Sequence, residues 1–168
     1  MSAPPAPDAL PTLAEECGLR RPSTGWGAWP VDAHVVAAFL VALPVWVVLG
    51  LVAGPHLRVP SGTWAWASLV LVQPFAEELV FRGVLQGQLL RLSGGRRLGA
   101  VTLANLATTA GFVAVHLLAQ PPLWALAVAV PSLVFGHLRE RLGSVWPAVA
   151  MHAVYNAGFG LTAWLARA

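Results

Sequence analysis

Lysine is absent from the 168 residues of this sequence, and its ten non-histidine basic residues are all arginine. Charged residues of both signs make up only 10% of the chain, whereas 57% of it is hydrophobic and its mean hydropathy is +0.69. Soluble globular domains carry about 25% charged residues. This shortage of charge excludes an ordinary soluble domain, and we interpret the chain as an integral membrane protein.

Cysteine occurs once, as Cys17, which excludes an internal disulfide and a cysteine metal cluster. Despite a pI near 10.5, the arginines are scattered between apolar stretches, so we predict no nucleic-acid partner. Residues 1–30 hold six of the fourteen prolines and lack the apolar run of about 7–15 residues that marks a signal peptide. We predict a flexible cytoplasmic tail there, with one helical turn at Leu13–Leu19.

Residues 31–168 are predicted to form an all-α, polytopic bundle of about five membrane-spanning helices, since about 20 apolar residues cross a bilayer. The predicted spans are Val31–Gly54, Thr63–Leu92, a third from about Leu98 or Leu103 to Ala119, Leu123–Leu138 and Ser144–Ala166. The fourth is barely long enough to cross, and Arg139–Gly143 is predicted to be a turn.

The arginines outside the spans are unevenly distributed, which indicates the orientation in the membrane. The tail, the second loop and the fourth loop hold seven of them, against two on the opposite side: Arg20, Arg21, Arg91, Arg96, Arg97, Arg139 and Arg141 against Arg58 and Arg167. Because cytoplasmic loops carry the excess of positive charge, we predict a multi-pass inner-membrane protein with a cytoplasmic N-terminus.

Three charges lie in the middle of the second span: Glu77, Glu78 and Arg82. An ionised side chain near the bilayer centre costs at least about 2.5–3.5 kcal/mol, so these groups need partners or a wet cavity. Glu78 and Arg82 are four residues apart and can pair on one helix face, which leaves Glu77 without an obvious local partner. Pro74, one turn earlier, is expected to free a backbone carbonyl and to widen the helix beside the acid.

Two other spans carry polar side chains, His116 in the third and His152 and Asn156 in the fifth. Together with Glu77 they suit amide hydrolysis. A shielded carboxylate can act as a general base, a histidine can share its proton, and an asparagine amide can donate to the developing oxyanion. No Gly-x-Ser-x-Gly sequence supplies a serine nucleophile, so the attacking group would be water.

Structural interpretations compete with this one for each residue taken singly. A buried Glu-Arg pair often only stabilises a fold, a membrane histidine can simply bridge two helices, and Phe112 has the properties of a packing residue. We assign no role to the three histidines near the predicted interfaces, which are His34, His56 and His137. The joint occurrence of the acid, the imidazoles and the amide in three spans favours a shared site.

Three motifs in this order resemble those of the CPBP family, the CAAX proteases and bacteriocin-processing intramembrane endopeptidases also called Abi. The motifs read Glu77-Glu78-Leu-Val-Phe-Arg82, Phe112-Val-Ala-Val-His116 and His152-Ala-Val-Tyr-Asn156. The resemblance covers Gln73–Asn156, about half of the chain, and includes the Gly143–Ala148 run before the last histidine.

The resemblance implies a role for each motif residue. Glu77 corresponds to the glutamate that activates water and His116 to its partner, while His152 and Asn156 orient the water and form the oxyanion hole. Glu78 and Arg82 form a supporting pair. We predict that no cofactor is needed, and keep open a zinc site made by Glu77, His116 and His152, although no His-Glu-x-x-His helix favours it.

The leading hypothesis is an intramembrane endopeptidase that cleaves a membrane protein or peptide within the lipid bilayer. The composition is typical of a bacterial chain, and small bacterial relatives resemble enzymes that process C-terminal sorting anchors, as in the myxosortase type. The alternative is a non-enzymatic membrane module, such as an immunity or partner-binding protein that retains the motifs as scaffold. A proton-coupled carrier is less consistent with five short spans and no internal repeat. The sequence does not fix the oligomeric state.

Overall fold

The computed structural model of the protein describes residues 12–167 and is a bundle of α-helices with one very short hairpin. The elements, in chain order, are α1 (Leu13–Glu16), α2 (Ala33–Ala53), α3 (Gly62–Ala67), α4 (Gln73–Glu78), α5 (Gln86–Ser93), β1 (Arg97–Leu98), β2 (Val101–Thr102), α6 (Leu103–Leu117), α7 (Pro122–Ala127), α8 (Ala129–Leu142) and α9 (Trp146–Leu165). Two π-helical segments, Ser68–Val72 and Leu79–Leu85, join α3, α4 and α5 without a break. We call this continuous stretch, residues 62–93, the glutamate helix.

All five predicted segments are helical, and the predicted all-α membrane bundle is confirmed. The third segment begins at Leu103, after the β1–β2 hairpin, because the Thr102 hydroxyl accepts the amide of Asn105 and caps the helix. By length and composition, Ala33–Ala53 and Pro122–Leu142 can each cross a membrane.

The fourth segment is longer than predicted, and the predicted turn at Arg139–Gly143 is wrong for its first four residues. Helix α8 continues through Leu142 and ends where Gly143 takes a left-handed conformation with φ +63°. The positive charge does not end the helix, because the buried Arg139 side chain finds acceptors inside the protein. It donates to the carbonyls of Arg82, at 3.2 Å, and Glu16, at 2.8 Å.

The apolar core lies between α2, α8 and α9, and consists of Val35, Phe135, Leu138, Leu142, Ala148 and Met151. Much of the remaining apolar surface faces outward. Along α2, side chains such as Val41, Val47 and Leu51 are exposed, as expected for a helix in contact with lipid. The centre of the bundle, by contrast, holds buried polar side chains contributed by the glutamate helix, α6, α8 and α9.

The N-terminal segment is part of this structure from residue 12 onward. The Val145 amide bonds to the Gly18 carbonyl at 2.9 Å, the Ser23 amide bonds to the Leu142 carbonyl at 2.9 Å, and Cys17 is buried. The flexible tail expected from composition is therefore wrong for residues 12–30, because backbone hydrogen bonds hold them to the turn before α9. The expected helical turn is present as α1, and the part of the tail at 1–11 lies outside the described residues.

Candidate active site

The two glutamates lie at the end of α4, between the two π-helical segments of the glutamate helix. In the first π segment the amide of Gln73 donates to the carbonyl of Ser68, five residues earlier. Pro74 follows directly and has no amide hydrogen, so the main-chain pattern is interrupted one turn before Glu77. π-helical turns are frequent at functional sites.

Glu78 is the buried member of the pair and is bound to Arg82. Its Oε1 atom lies 3.0 Å from Nη1 of Arg82, and both side chains are fully buried. The guanidinium also donates to the carbonyl and hydroxyl of Ser132 in α8, at 3.1 and 2.7 Å. It lies over the rings of Phe112 and Phe135, with 4.6 and 5.5 Å to the ring centroids. The pair expected from the four-residue spacing is formed, and it ties the glutamate helix to α6 and α8.

His152 lies between the two glutamates. Its Nδ1 atom is 2.8 Å from Oε1 of Glu78, and its Nε2 atom is 3.9 Å from Oε2 of Glu77. The ring is stacked on Phe135 at 4.8 Å between centroids, which fixes its plane. A carboxylate only accepts hydrogen bonds, so Nδ1 carries a proton in this contact and Nε2 is directed at Glu77.

Glu77 is the accessible acid. Its side chain is 30% exposed, whereas that of Glu78 is fully buried. Two adjacent carboxylates thus have different surroundings. Glu78 is held by a cation and an imidazole, and Glu77 is open to an incoming molecule.

His116 also packs against Phe112, whose ring contacts the Arg82 guanidinium. Its ring is 4.4 Å from that of Phe112, whose ring in turn lies 6.2 Å from that of His152. The Nδ1 atom of His116 is 2.9 Å from the Phe112 carbonyl, which can only accept. Nδ1 therefore carries the proton, and Nε2 of a neutral His116 keeps its lone pair. Phe112 packs against both imidazoles and against the Arg82 guanidinium.

Asn156 differs from its expected arrangement. Its Nδ2 atom donates to the backbone carbonyl of Leu69 in the first π segment, at 2.9 Å. One of its two amide hydrogens is therefore used within the protein, and the expected oxyanion donor has only its second hydrogen left for a ligand.

Several polar residues of the site escaped the sequence analysis. Gln86 donates to Glu140 at 2.7 Å, Thr102 donates to the same carboxylate at 2.6 Å, and the hydroxyls of Thr109 and Ser132 are 2.9 Å apart. A spacing of four residues puts side chains on one helix face, and this spacing could have pointed to Gln86 and Glu140. The four-residue spacing joins Gln86 to Glu78 and Arg82 on the glutamate helix. On α8 it joins Glu140 to Ser132 and Gly136.

The arrangement does not fit a metal centre. Among residues 12–167, no three histidine, cysteine, aspartate or glutamate side chains are grouped as metal ligands. The zinc site considered for Glu77, His116 and His152 therefore has no counterpart in this geometry.

Comparison with known proteins agrees with the motifs. The family model described as type II CAAX prenyl endopeptidase Rce1-like matches residues 59–158, a range that includes both glutamates, Arg82, both histidines and Asn156. Neither the curated proteins nor the solved structures contain a significant match. The resemblance to the myxosortase type stays a prediction. Because the match covers more than half of the chain, the protein belongs to the Rce1-like family of CAAX-type membrane proteases.

Proposed function

We propose that this protein is an intramembrane endopeptidase that hydrolyses a peptide bond of a membrane-associated or C-terminally anchored protein, with Glu77 activating the water. The observation that carries the proposal is the position of His152 between a buried, charge-paired Glu78 and an accessible Glu77. This arrangement keeps one carboxylate fixed and leaves the other free to exchange a proton with a ligand.

In the proposed reaction, Glu77 takes a proton from water while the water oxygen bonds to the scissile carbonyl carbon. The carbon–nitrogen bond then breaks, and the proton passes from Glu77 to the leaving nitrogen. The gap of 3.9 Å between Glu77 and His152 is longer than a hydrogen bond, and both groups can contact one water there.

The two histidines and Asn156 have complementary roles in this proposal. The free lone pair on Nε2 of His116 accepts a hydrogen bond from the water and orients it. Asn156, through its second amide hydrogen, and His152, when protonated at Nε2, donate to the oxyanion. Each such donor is typically worth about 10²–10³ in rate.

Glu78 and Arg82 support these groups without touching substrate. Glu78 holds Nδ1 of His152, and Arg82 neutralises Glu78. This pair keeps His152 in one orientation, much as hydrogen-bonded partners orient catalytic histidines in other hydrolases.

We propose a cytoplasmic N-terminus in a bacterial inner membrane, on the basis of the arginine distribution. Two contacts support the view that the arginine-bearing segments lie at the same end of the helix bundle. Arg20 of the N-terminal segment donates to the carbonyl of Gly143 at 2.9 Å, and Arg91 of α5 pairs with Glu16 at 2.7 Å. The tail, the end of the glutamate helix and the turn before α9 therefore lie together. We propose a substrate that bears an apolar C-terminal anchor followed by basic residues.

Co-expression tests the function. A tagged membrane protein with such an anchor, encoded beside this chain, is expressed with wild-type protein or with Glu77→Gln, which keeps the size of the side chain. We expect a shortened product only with wild type. If Glu77→Gln supports the same biological output as wild type and no shortening occurs with either, the chain is a binding or immunity module.

We also propose a metal-free reaction, in which dialysis of the purified enzyme against a chelator leaves the cleavage rate unchanged.

A further inference from the structure

The backbone carbonyl of Leu69 and the side chain of Asn156 are 87 residues apart in the chain and 2.9 Å apart in the structure. Leu69 belongs to the π segment Ser68–Val72, and Asn156 lies on α9 one turn after His152. The contact therefore joins the site-bearing face of α9 to the irregular part of the glutamate helix.

The irregular helix explains why that carbonyl needs a donor. In a π-helix each amide donates to the carbonyl five residues earlier, as Gln73 does to Ser68. The next donor in this pattern would be residue 74 and its acceptor Leu69, but residue 74 is proline and has no amide hydrogen. Within a bilayer, a carbonyl that lacks a donor is costly, because no bulk water replaces the lost bond.

We propose that Asn156, besides its proposed contact with the oxyanion, is a positioning residue whose side-chain amide replaces the amide that Pro74 lacks. The bond holds the π segment against α9 and thereby fixes the direction in which α4 carries Glu77, three residues after the proline. The link to catalysis rests on the proposed function, whereas the link between Asn156, Leu69 and Pro74 does not.

Helix α9 holds the glutamate helix on both sides of the proline. Before the proline, Asn156 binds the Leu69 carbonyl; after it, His152 binds Glu78 at 2.8 Å. Further along α9, Gly160 lies against the Trp66 ring, which an added Cβ would meet at 2.7 Å. The stretch that carries Glu77 is thus held at the Leu69 backbone on one side and at the Glu78 side chain on the other, which limits its freedom to move.

A double-mutant cycle tests the link. Asn156→Leu keeps the approximate volume and removes the donor, while Pro74→Ala restores a main-chain amide hydrogen that can serve Leu69. The readouts need no substrate: the rate at which a hydrophobic carbodiimide modifies the Glu77 carboxyl in micelles, measured by peptide mass, and the thermal unfolding midpoint. We expect Asn156→Leu to change the modification rate severalfold and lower the midpoint, and to change neither once Pro74→Ala is present.

Two control variants isolate the proposed pair. Asn105→Leu removes a similar side-chain bond, from Asn105 to the Leu133 carbonyl at 3.0 Å, and its effect should persist in the Pro74→Ala background. Pro44→Ala removes the proline inside α2 and should not rescue Asn156→Leu.

Equal effects of Asn156→Leu with and without Pro74 would overturn the proposal. It is also overturned if Asn156→Leu leaves modification and midpoint unchanged while cleavage falls, since Asn156 would then act on substrate alone. If Asn156→Leu fails to fold, folding of the double variant supports the proposal, and failure of both overturns it. Absence of cleavage by the wild-type protein would instead count against the proposed function.

Discussion

Glu77 and Glu78 are neighbours in the chain, yet the side chain of Glu77 is 30% exposed and that of Glu78 is fully buried. The difference arises because Glu78 points at Arg82 and His152 in the interior, while Glu77 lies about 100° further round the helix. The two acids should therefore respond differently to the same substitution.

Glu78→Gln is expected to destabilise the protein much more than Glu77→Gln. It leaves the Arg82 guanidinium buried without its carboxylate, and breaking one side of a buried pair typically costs about 3–5 kcal/mol. The free energy of unfolding in mixed micelles measures this, with Glu77→Gln as the matched control, which should change stability little. Equal losses for the two variants would mean that Glu78 and Arg82 do not form the structural pair described.

Gly87→Ala is expected to release the N-terminal segment from the glutamate helix. A Cβ at Gly87 would collide with the carbonyl of Glu16, so the segment or the helix must shift. We expect faster tryptic cleavage after Arg20 in micelles, because proteolysis needs local opening of the backbone. Gly111→Ala is the control, since its Cβ would meet only Leu85 at an ordinary 3.7 Å. Unchanged cleavage in Gly87→Ala would contradict the close packing of the two backbones.

Asp32, at the N-terminus of α2, should make the stability of the folded protein depend on pH. It accepts hydrogen bonds from Arg141 at 2.9, 3.1 and 3.0 Å, and these lower the pKa of Asp32 in the folded protein. The contribution is thus complete above the ordinary aspartate pKa of about 3.9 and is lost as the pH falls through the lowered value.

Asp32→Asn measures this contribution, because asparagine keeps the cap on the His34 amide and loses the ion pair. We expect wild type to be more stable than the variant at neutral pH, and the difference to shrink as the pH falls through the lowered pKa of Asp32 and to vanish below it. A difference that stays constant over the whole acid range would rule out the ion pair as its source.

The sequence was sufficient to predict the helical segments and the pairing of Glu78 with Arg82. Long apolar runs and a four-residue spacing are local signals that the membrane environment strengthens, since only helices satisfy the backbone there. The proline effect was also predictable, because Pro74 must free a carbonyl whatever surrounds it.

The partners of the polar groups were not predictable from local signals. Composition marked residues 12–30 as a tail, yet Arg139 finds the Glu16 carbonyl across 123 residues of chain. Likewise, the spacing of His152 and Asn156 put both on one face of α9 but could not tell that one faces a carboxylate and the other a backbone carbonyl. The partner of each polar side chain depends on how the helices pack against one another, and the local sequence around a residue does not reveal that packing.

The cleavage rate of purified, lipid-reconstituted Glu77→Gln, compared with wild type on the same anchored substrate, shows whether Glu77 activates the water. We expect a loss of at least about 10²-fold, the lower end for removal of a general base, with an unfolding midpoint close to that of wild type. A Glu77→Gln protein that folds normally and cleaves at the wild-type rate would contradict this role of Glu77.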